Sequence, residues 1–291
     1  MPTKVEKDSL SGVDTTGHEW DGIQELNNPL PKWWLYVFYV CVAFSLGYWV
    51  LYPAIPLGKS YTGGILGYSQ RDVVLADIAT ARAAQGAYRA KIDKASFEQI
   101  EADPDLLSFA IAGGRSAFAE NCSACHGAGG AGGKGYPTLA DDDWLWGGKA
   151  DDIHTTLLHG IRSPVDGDTR LSEMPKFGVD KLLTAVQIDE VAEYVLSFTG
   201  RDTNKAASKN GEAVFTENCV ACHGEKGEGM REVGAPRLND NIWLYGGDKK
   251  TLVETITYAR AGVMPAWGSR LDPITVKQLA VYVHTLGGGE K

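Results

Sequence analysis

The chain beyond about residue 110 is written twice. Gly114-x3-Phe118-x3-Cys122-x2-Cys125-His126-Gly127 returns as Gly211-x3-Phe215-x3-Cys219-x2-Cys222-His223-Gly224. Gly135-Tyr-Pro137-Thr-Leu139-Ala-Asp141 through Trp144-Leu145-Trp-Gly147-Gly148 returns as Gly234-Ala-Pro236-Arg-Leu238-Asn-Asp240 through Trp243-Leu244-Tyr-Gly246-Gly247. Met174-Pro-Lys-Phe-Gly178 returns as Met264-Pro-Ala-Trp-Gly268, and each copy closes on an amphipathic helix, roughly 187–199 and 274–286. The order of elements is the same in both, so the chain is expected to build one small helical unit twice. The polar stretch from Gly200 to Lys209 separates the copies.

Four of the five cysteines fall in the two Cys-x-x-Cys-His motifs. This is the attachment signature of c-type haem. Two thiols add to the vinyl groups on one porphyrin edge, and the adjacent His lies beneath the iron. Cys122, Cys125 and His126 are therefore assigned to one haem, and Cys219, Cys222 and His223 to the other. A zinc site needs a second ligand pair nearby, and neither copy has one. A thioredoxin-like dithiol needs a βαβ context, and a disulfide framework does not place each pair directly before His.

For the sixth ligand the matched Met-Pro pairs point to Met174 and Met264. A thioether raises the reduction potential relative to a second His. The Pro that follows has no N–H and favours an extended loop. Each Met is assigned to the haem of its own copy, although in a duplicated pair packed face to face the two Met loops could be exchanged, which spacing does not exclude. Met230 has no counterpart in the first copy and is read as a bystander. His154 and His159 are rival ligands in the first copy that the second copy lacks, and His284 lies on the closing helix. The carbonyls of Pro137 and Pro236 are expected to orient the two proximal His rings. Trp144 and Trp243 are expected to pack on haem. Arg162 and Arg260 either pair with haem propionates or are solvated. Two irons that each carry two protein ligands have no open position for a substrate, which argues against peroxidase or oxygen chemistry on this chain alone. The porphyrins also supply buried apolar surface to domains of only about 90 residues.

The first part of the chain has a different character. Residues 1–32 are polar and rich in Asp, Glu and Asn; Trp33 to Tyr52 then runs without a charged residue. Twenty residues at 1.5 Å each span about 30 Å, the thickness of a bilayer's hydrocarbon core. Trp33 and Trp34 at one end, and Trp49 and Tyr52 at the other, fit aromatic belts. A cleaved leader would have a shorter, basic n-region and a small-residue cleavage site. Residues 53–110 read as a helical connecting region, Ala-rich over 70–92. The fold class expected is all-α, with one N-terminal transmembrane helix followed by two tandem class I cytochrome c domains. The expected boundaries are 1–32 (cytoplasmic segment), 33–52 (anchor), 53–110 (connection), 111–200 (first haem domain) and 205–288 (second haem domain). A net charge of −9 argues against nucleic acid as a partner and suits a basic one.

The stretch His18-Glu-Trp-Asp21-Gly22-Ile23-Gln-Glu25-Leu26-Asn-Asn28-Pro29-Leu30-Pro31-Lys-Trp33-Trp34, with Leu51-Tyr52-Pro53 after the helix, resembles the N-terminal signature of subunit III of cbb3-type cytochrome c oxidase, the CcoP or FixP family. The haem motifs and Met-Pro pairs match in order along nearly the whole chain. The resemblance implies two covalently attached haem c groups, with His126, Met174, His223 and Met264 as iron ligands. It implies electron transfer, not catalysis by this chain alone. Electrons would come from a soluble or membrane-bound donor cytochrome c or the bc1 complex, and would pass through a monohaem subunit to the catalytic subunit. Haem attachment outside the bacterial cytoplasm would place both haem domains in the periplasm, on a single-pass anchor in the inner membrane. A free-standing membrane-tethered shuttle and the cytochrome subunit of a periplasmic dehydrogenase are the alternatives.

Overall fold

The computed structural model describes residues 4–201 and 203–290. They form two units, one up to Ala83 and one from Ala84 onward.

In the first unit, β1 (Thr15–Trp20) and β2 (Ile23–Leu26) pair as an antiparallel hairpin. The tight reversal puts Asp21 and Gly22 at positive φ, 51° and 82°. The helix α1 (Lys32–Leu51) follows Pro31, whose extended backbone (φ −55°, ψ 136°) ends the preceding segment. None of its residues is buried, its mean hydropathy is 1.7, and it is long and apolar enough to cross a membrane. An apolar surface on all sides has no core to meet in water, which is the signature of a helix solvated by lipid. Helix α2 (Gln70–Ala84) completes the unit.

The second unit contains α3 (Gly86–Lys94), α4 (Phe97–Ala102), α5 (Pro104–Asn121), the one-turn α6 (Ser123–His126), α7 (Ala150–His159), α8 (Ala185–Ser197), α9 (Lys205–Asn218), the one-turn α10 (Val220–His223), α11 (Lys249–Tyr258) and α12 (Pro273–His284). The longer helices start on side-chain caps. Asp103 accepts from the Asp105 and Leu106 amides at 3.1 Å, with Pro104 at the first helical position. Thr184 and Gln187 form a reciprocal capping box, and Asn204 and Asp272 cap α9 and α12. Each satisfies amides that the first helical turn leaves without a partner.

The packing divides these helices into two lobes that cut across the sequence repeats. In the first lobe α5 and α7 pack against α12, the closing helix of the second repeat. Phe118, Leu106, Ile153 and Leu157 share its core with Leu279, Ala280 and Val283. In the second lobe α9 and α11 pack against α8, the closing helix of the first repeat. Phe215, Leu252 and Ile256 share that core with Val191, Val195 and Phe177. Burying each such side chain stabilises by roughly 1.5–3 kcal/mol. The second lobe is thus one continuous stretch of chain set between the two halves of the first. The repeats expected over 111–200 and 205–288 do not each retain their own closing helix. The tail of the connecting region also joins the first lobe, because Ile92, Phe97 and Ile100 are buried in its core.

Close approach of the helices depends on the glycine that opens each repeated motif. A Cβ at Gly114 would overlap the Gln278 carbonyl on α12, and one at Gly211 would overlap the Glu190 carbonyl on α8. The two lobes also meet through matched loops. The Gly135 amide donates to the Leu244 carbonyl at 2.7 Å, the Tyr245 ring lies against Gly135, and the Trp146 ring lies against Gly234.

Candidate haem centres

Each Cys-x-x-Cys-His motif forms a single helical turn after a longer helix, α5–α6 in the first lobe and α9–α10 in the second. Gly127 and Gly224, both at φ 75°, end these turns. The chain then doubles back, so that His126 Nδ1 lies 3.1 Å from the Pro137 carbonyl and His223 Nδ1 lies 3.0 Å from the Pro236 carbonyl. A carbonyl only accepts, so the proton sits on Nδ1 and the Nε2 lone pair is free for a metal. Burial holds both imidazoles below their ordinary pKa, although the proline carbonyls oppose it, and a neutral ring is the ligating form. These carbonyls do what the sequence leads one to expect of them.

None of the five cysteines is in a disulfide. Burial, with a smaller contribution from the charge of the neighbouring Cys125, pushes the Cys122 thiol up to about 11; burial and Cys222 push Cys219 up to about 11. A thiol raised in this way forms little of the thiolate that attacks a disulfide.

Beside each motif lies a cavity. The first is lined by His126, Pro137, Trp144, Trp146, Leu157 and Met264. The second is lined by Cys219, Cys222, His223, Met174, Phe215 and Trp243 among others. Leu145 lines both. The Met loops are therefore exchanged between the repeats. Backbone bonds fix them there in matching fashion: Trp267 and Gly268 donate to Leu157 and Leu158 on α7 at 2.9 and 3.1 Å, and Gly178 donates to Thr257 on α11 at 3.2 Å. Each Met-Pro loop thus lies in the lobe that holds the other repeat's haem motif, an arrangement that spacing does not exclude. The physical reason lies in the closing helices, which carry the loops just before them into the opposite lobe.

The residues fit haem. Trp243 Nε1 is buried in the second cavity with no hydrogen-bond partner. A buried donor left unpaired costs about 1–3 kcal/mol, and a ligand carrying carboxylates removes that cost. Apolar walls, a free imidazole Nε2, a thioether and two unpaired thiols make up the remainder of such a site. In the first lobe the matching Trp144 Nε1 instead donates to the Gly288 carbonyl at 2.7 Å, on the chain that follows α12.

The rival ligands are engaged elsewhere. His154 packs edge-on against Phe97, with centroids 5.5 Å apart. His159 Nδ1 lies 3.2 Å from Asp166, and His284 lies between Glu101 and the Glu290 carbonyl. Met230 pairs through its backbone with Ala235 and lines neither haem cavity. Arg260 and Arg162 both line the second cavity, where Arg260 pairs with Glu254 at 3.0 Å and stacks on Tyr245 at 5.0 Å.

Between the lobes Asp143 is pushed up to about 6 by burial first, and then by the carboxylates of Asp240 and Asp141. Its folded pKa lies above the unfolded value. The folded chain therefore binds more protons between about pH 4 and 6, and stability falls as pH rises through that window. Asp143→Asn should raise the melting temperature at pH 7 and have little effect at pH 4.5. Thermal unfolding at the two pH values checks this.

Comparison with known proteins places the two motifs in cytochrome c domains. The family model for the N-terminal domain of cytochrome oxidase-cbb3, FixP, matches residues 12–59; the cytochrome c model matches 111–199; and the model for cbb3-type cytochrome c oxidase subunit III matches 206–283. The chain is 61% identical to the cbb3-type cytochrome c oxidase subunit CcoP of Azospirillum brasilense, covering 98% of this chain and 99% of that one. It is 51% identical to CcoP of Cereibacter sphaeroides over the full length of both. It is 52% identical to FixP of Azorhizobium caulinodans, covering 97% of this chain and 96% of that one. Two cytochrome c domains in such a chain carry two covalently bound haem c groups, and α1 is their membrane anchor. With its anchor, its two haem motifs and full-length likeness to these subunits, the chain belongs to the CcoP/FixP family, the dihaem cytochrome c subunit of cbb3-type oxidases.

Proposed function

We propose that His126 and Met264 are the axial ligands of the haem held by Cys122 and Cys125, and that His223 and Met174 are those of the haem held by Cys219 and Cys222. The observation that carries this is the lining of the two cavities, each of which brings one proximal His and one Met-Pro loop together. Bound haem supplies a one-electron iron couple. The chain supplies both axial positions, a largely apolar surround and a short separation, since Leu145 forms part of both walls. Thioether ligation favours the reduced iron relative to a second imidazole, which suits a carrier placed before an oxidase. This chain is not an enzyme on its own; it is the electron-transfer subunit of an oxidoreductase complex.

The lobes face the periplasm, with the N-terminus on the cytoplasmic side of the inner membrane. The partners are the monohaem and catalytic subunits of the oxidase, and the donor is a soluble or membrane-bound cytochrome c or the bc1 complex. The net charge of −9 favours a basic donor and steers its approach, so turnover should slow as salt rises. Purification from membranes in mild detergent, followed by a pyridine haemochrome spectrum, tests the assignment. The expected result is b-type haem accompanying the c-type signal, with oxygen uptake driven by reduced cytochrome c. A c-type signal alone, without oxygen uptake, removes the oxidase partners and leaves a tethered shuttle.

A further inference from the structure

The chain crosses between the lobes twice, once between α7 and the Met174 loop and once between α11 and the Met264 loop. One side chain touches both crossings. Arg162, half-buried, donates from Nε to the Gly262 carbonyl at 2.7 Å and from Nη1 to the Ser172 carbonyl at 2.6 Å. Gly262 lies two residues before Met264, and Ser172 two residues before Met174. The neighbours of Arg162 extend the grip on one loop. Ile161 and Met264 exchange both backbone bonds, at 3.0 and 2.9 Å, and the Ser163 hydroxyl accepts from the Ala266 amide at 3.3 Å.

Several features mark Arg162 as selected for this contact. Its backbone sits at φ 50°, a conformation that costs a non-glycine residue of order 1 kcal/mol and persists where surrounding contacts fix it. It lies three residues past the end of α7, and the position three past the end of α11 is Ala261, so the second repeat has no copy of the clamp. Its guanidinium presents donors in a rigid fork that reaches two carbonyls at once, which a lysine ammonium on a flexible stem does less well. Both bonds are charge-assisted, the stronger kind.

We infer that Arg162 is a positioning residue for both methionines, a single clamp that sets the reach of the Met264 and Met174 loops toward their irons together. The inference rests on the ligand assignment proposed above. It makes the two haem centres interdependent: a change at one arginine in the first repeat alters the sixth position at both irons, including the one attached to the second repeat.

The test uses the full chain, loaded with both haems, in detergent. Imidazole is titrated into the oxidised protein while the far-red methionine–iron band is followed. In Arg162→Gln imidazole should displace methionine from both haems at about ten-fold lower concentration than in the wild type, the effect of losing one charged hydrogen bond per loop. Haem content should be unchanged. Wild-type titration of R162Q at both haems, or a shift at one haem alone, would overturn the inference. A purely structural role would lower the melting temperature and leave the imidazole curves in place. Arg162→Lys carries the test if R162Q does not accumulate. Its ammonium does not span both carbonyls as the fork does, so at least one haem should titrate earlier, and a wild-type curve at both overturns the clamp. Absence of the far-red band from the wild type is a separate outcome, which removes the methionine ligands themselves and the clamp with them.

Discussion

Gly211→Val should destabilise the second lobe by about 3 kcal/mol or more, lowering its melting temperature by roughly 10 °C. The Cβ of any residue at this position meets the backbone of Glu190, which has no flexible end to move aside. Helices α8 and α9 must therefore separate, and Phe215, Val191 and Val195 lose contact across that seam. Because the Met174 loop leads into α8, the damage should also weaken methionine ligation at the haem on Cys219 and Cys222. Gly114→Val should do the same in the first lobe, through the Gln278 carbonyl on α12. Gly86→Ala is the control: nothing lies within 4 Å of a Cβ there, so the change should be neutral or slightly stabilising. Thermal unfolding followed by circular dichroism reads all three. A melting temperature for G211V within a degree or two of the wild type would mean that the close helix crossing is wrong.

Met264→Ala and Met174→Ala should each remove half of the far-red methionine–iron band and open one haem of the two. The haem so opened should bind carbon monoxide when reduced, which the intact chain should not do. Its potential should fall, because thioether ligation favours the reduced iron. The effect is large because alanine supplies no ligand atom, and no other Met, His or Cys is among the residues lining the first cavity once Met264 and His126 are accounted for. Carbon monoxide difference spectra of the reduced variants decide the matter. Variants that stay closed to the gas, with the band intact, would remove both methionines from the ligand set.

Much of this architecture is legible in the residues alone. The duplicated Cys-x-x-Cys-His motifs, the uncharged run before Tyr52 and the Thr184 and Asp272 caps all act through local chemistry, and local chemistry can be read from spacing. The placement of the Met174 and Met264 loops beside the other repeat's motif cannot. The two copies have the same order of elements, so spacing allows either methionine beside either motif, and the packing of α8 on α9 and of α12 on α5 sets which loop lies beside which motif. The carbonyl contacts of Arg162 are not legible in the sequence, because the partners are backbone groups 10 and 100 residues away, which carry no sequence signal. The β1–β2 hairpin lies in a polar segment where β2 is wholly exposed, so alternation gave no apolar face to detect. In the connecting region the Ala-rich composition of 70–92 concealed that Ile92, Phe97 and Ile100 belong to a core.

The central claim is the pairing of each methionine with the haem of the other repeat. A Cys122→Ser background tests it directly. The first haem then keeps one unreacted vinyl, and its absorption moves to the red of the second, so the two are read separately. In that background Met264→Ala should give carbon monoxide binding at the red-shifted haem, and Met174→Ala at the unshifted one. Carbon monoxide binding at the unshifted haem in the Met264→Ala chain would contradict the exchange and return each methionine to its own repeat.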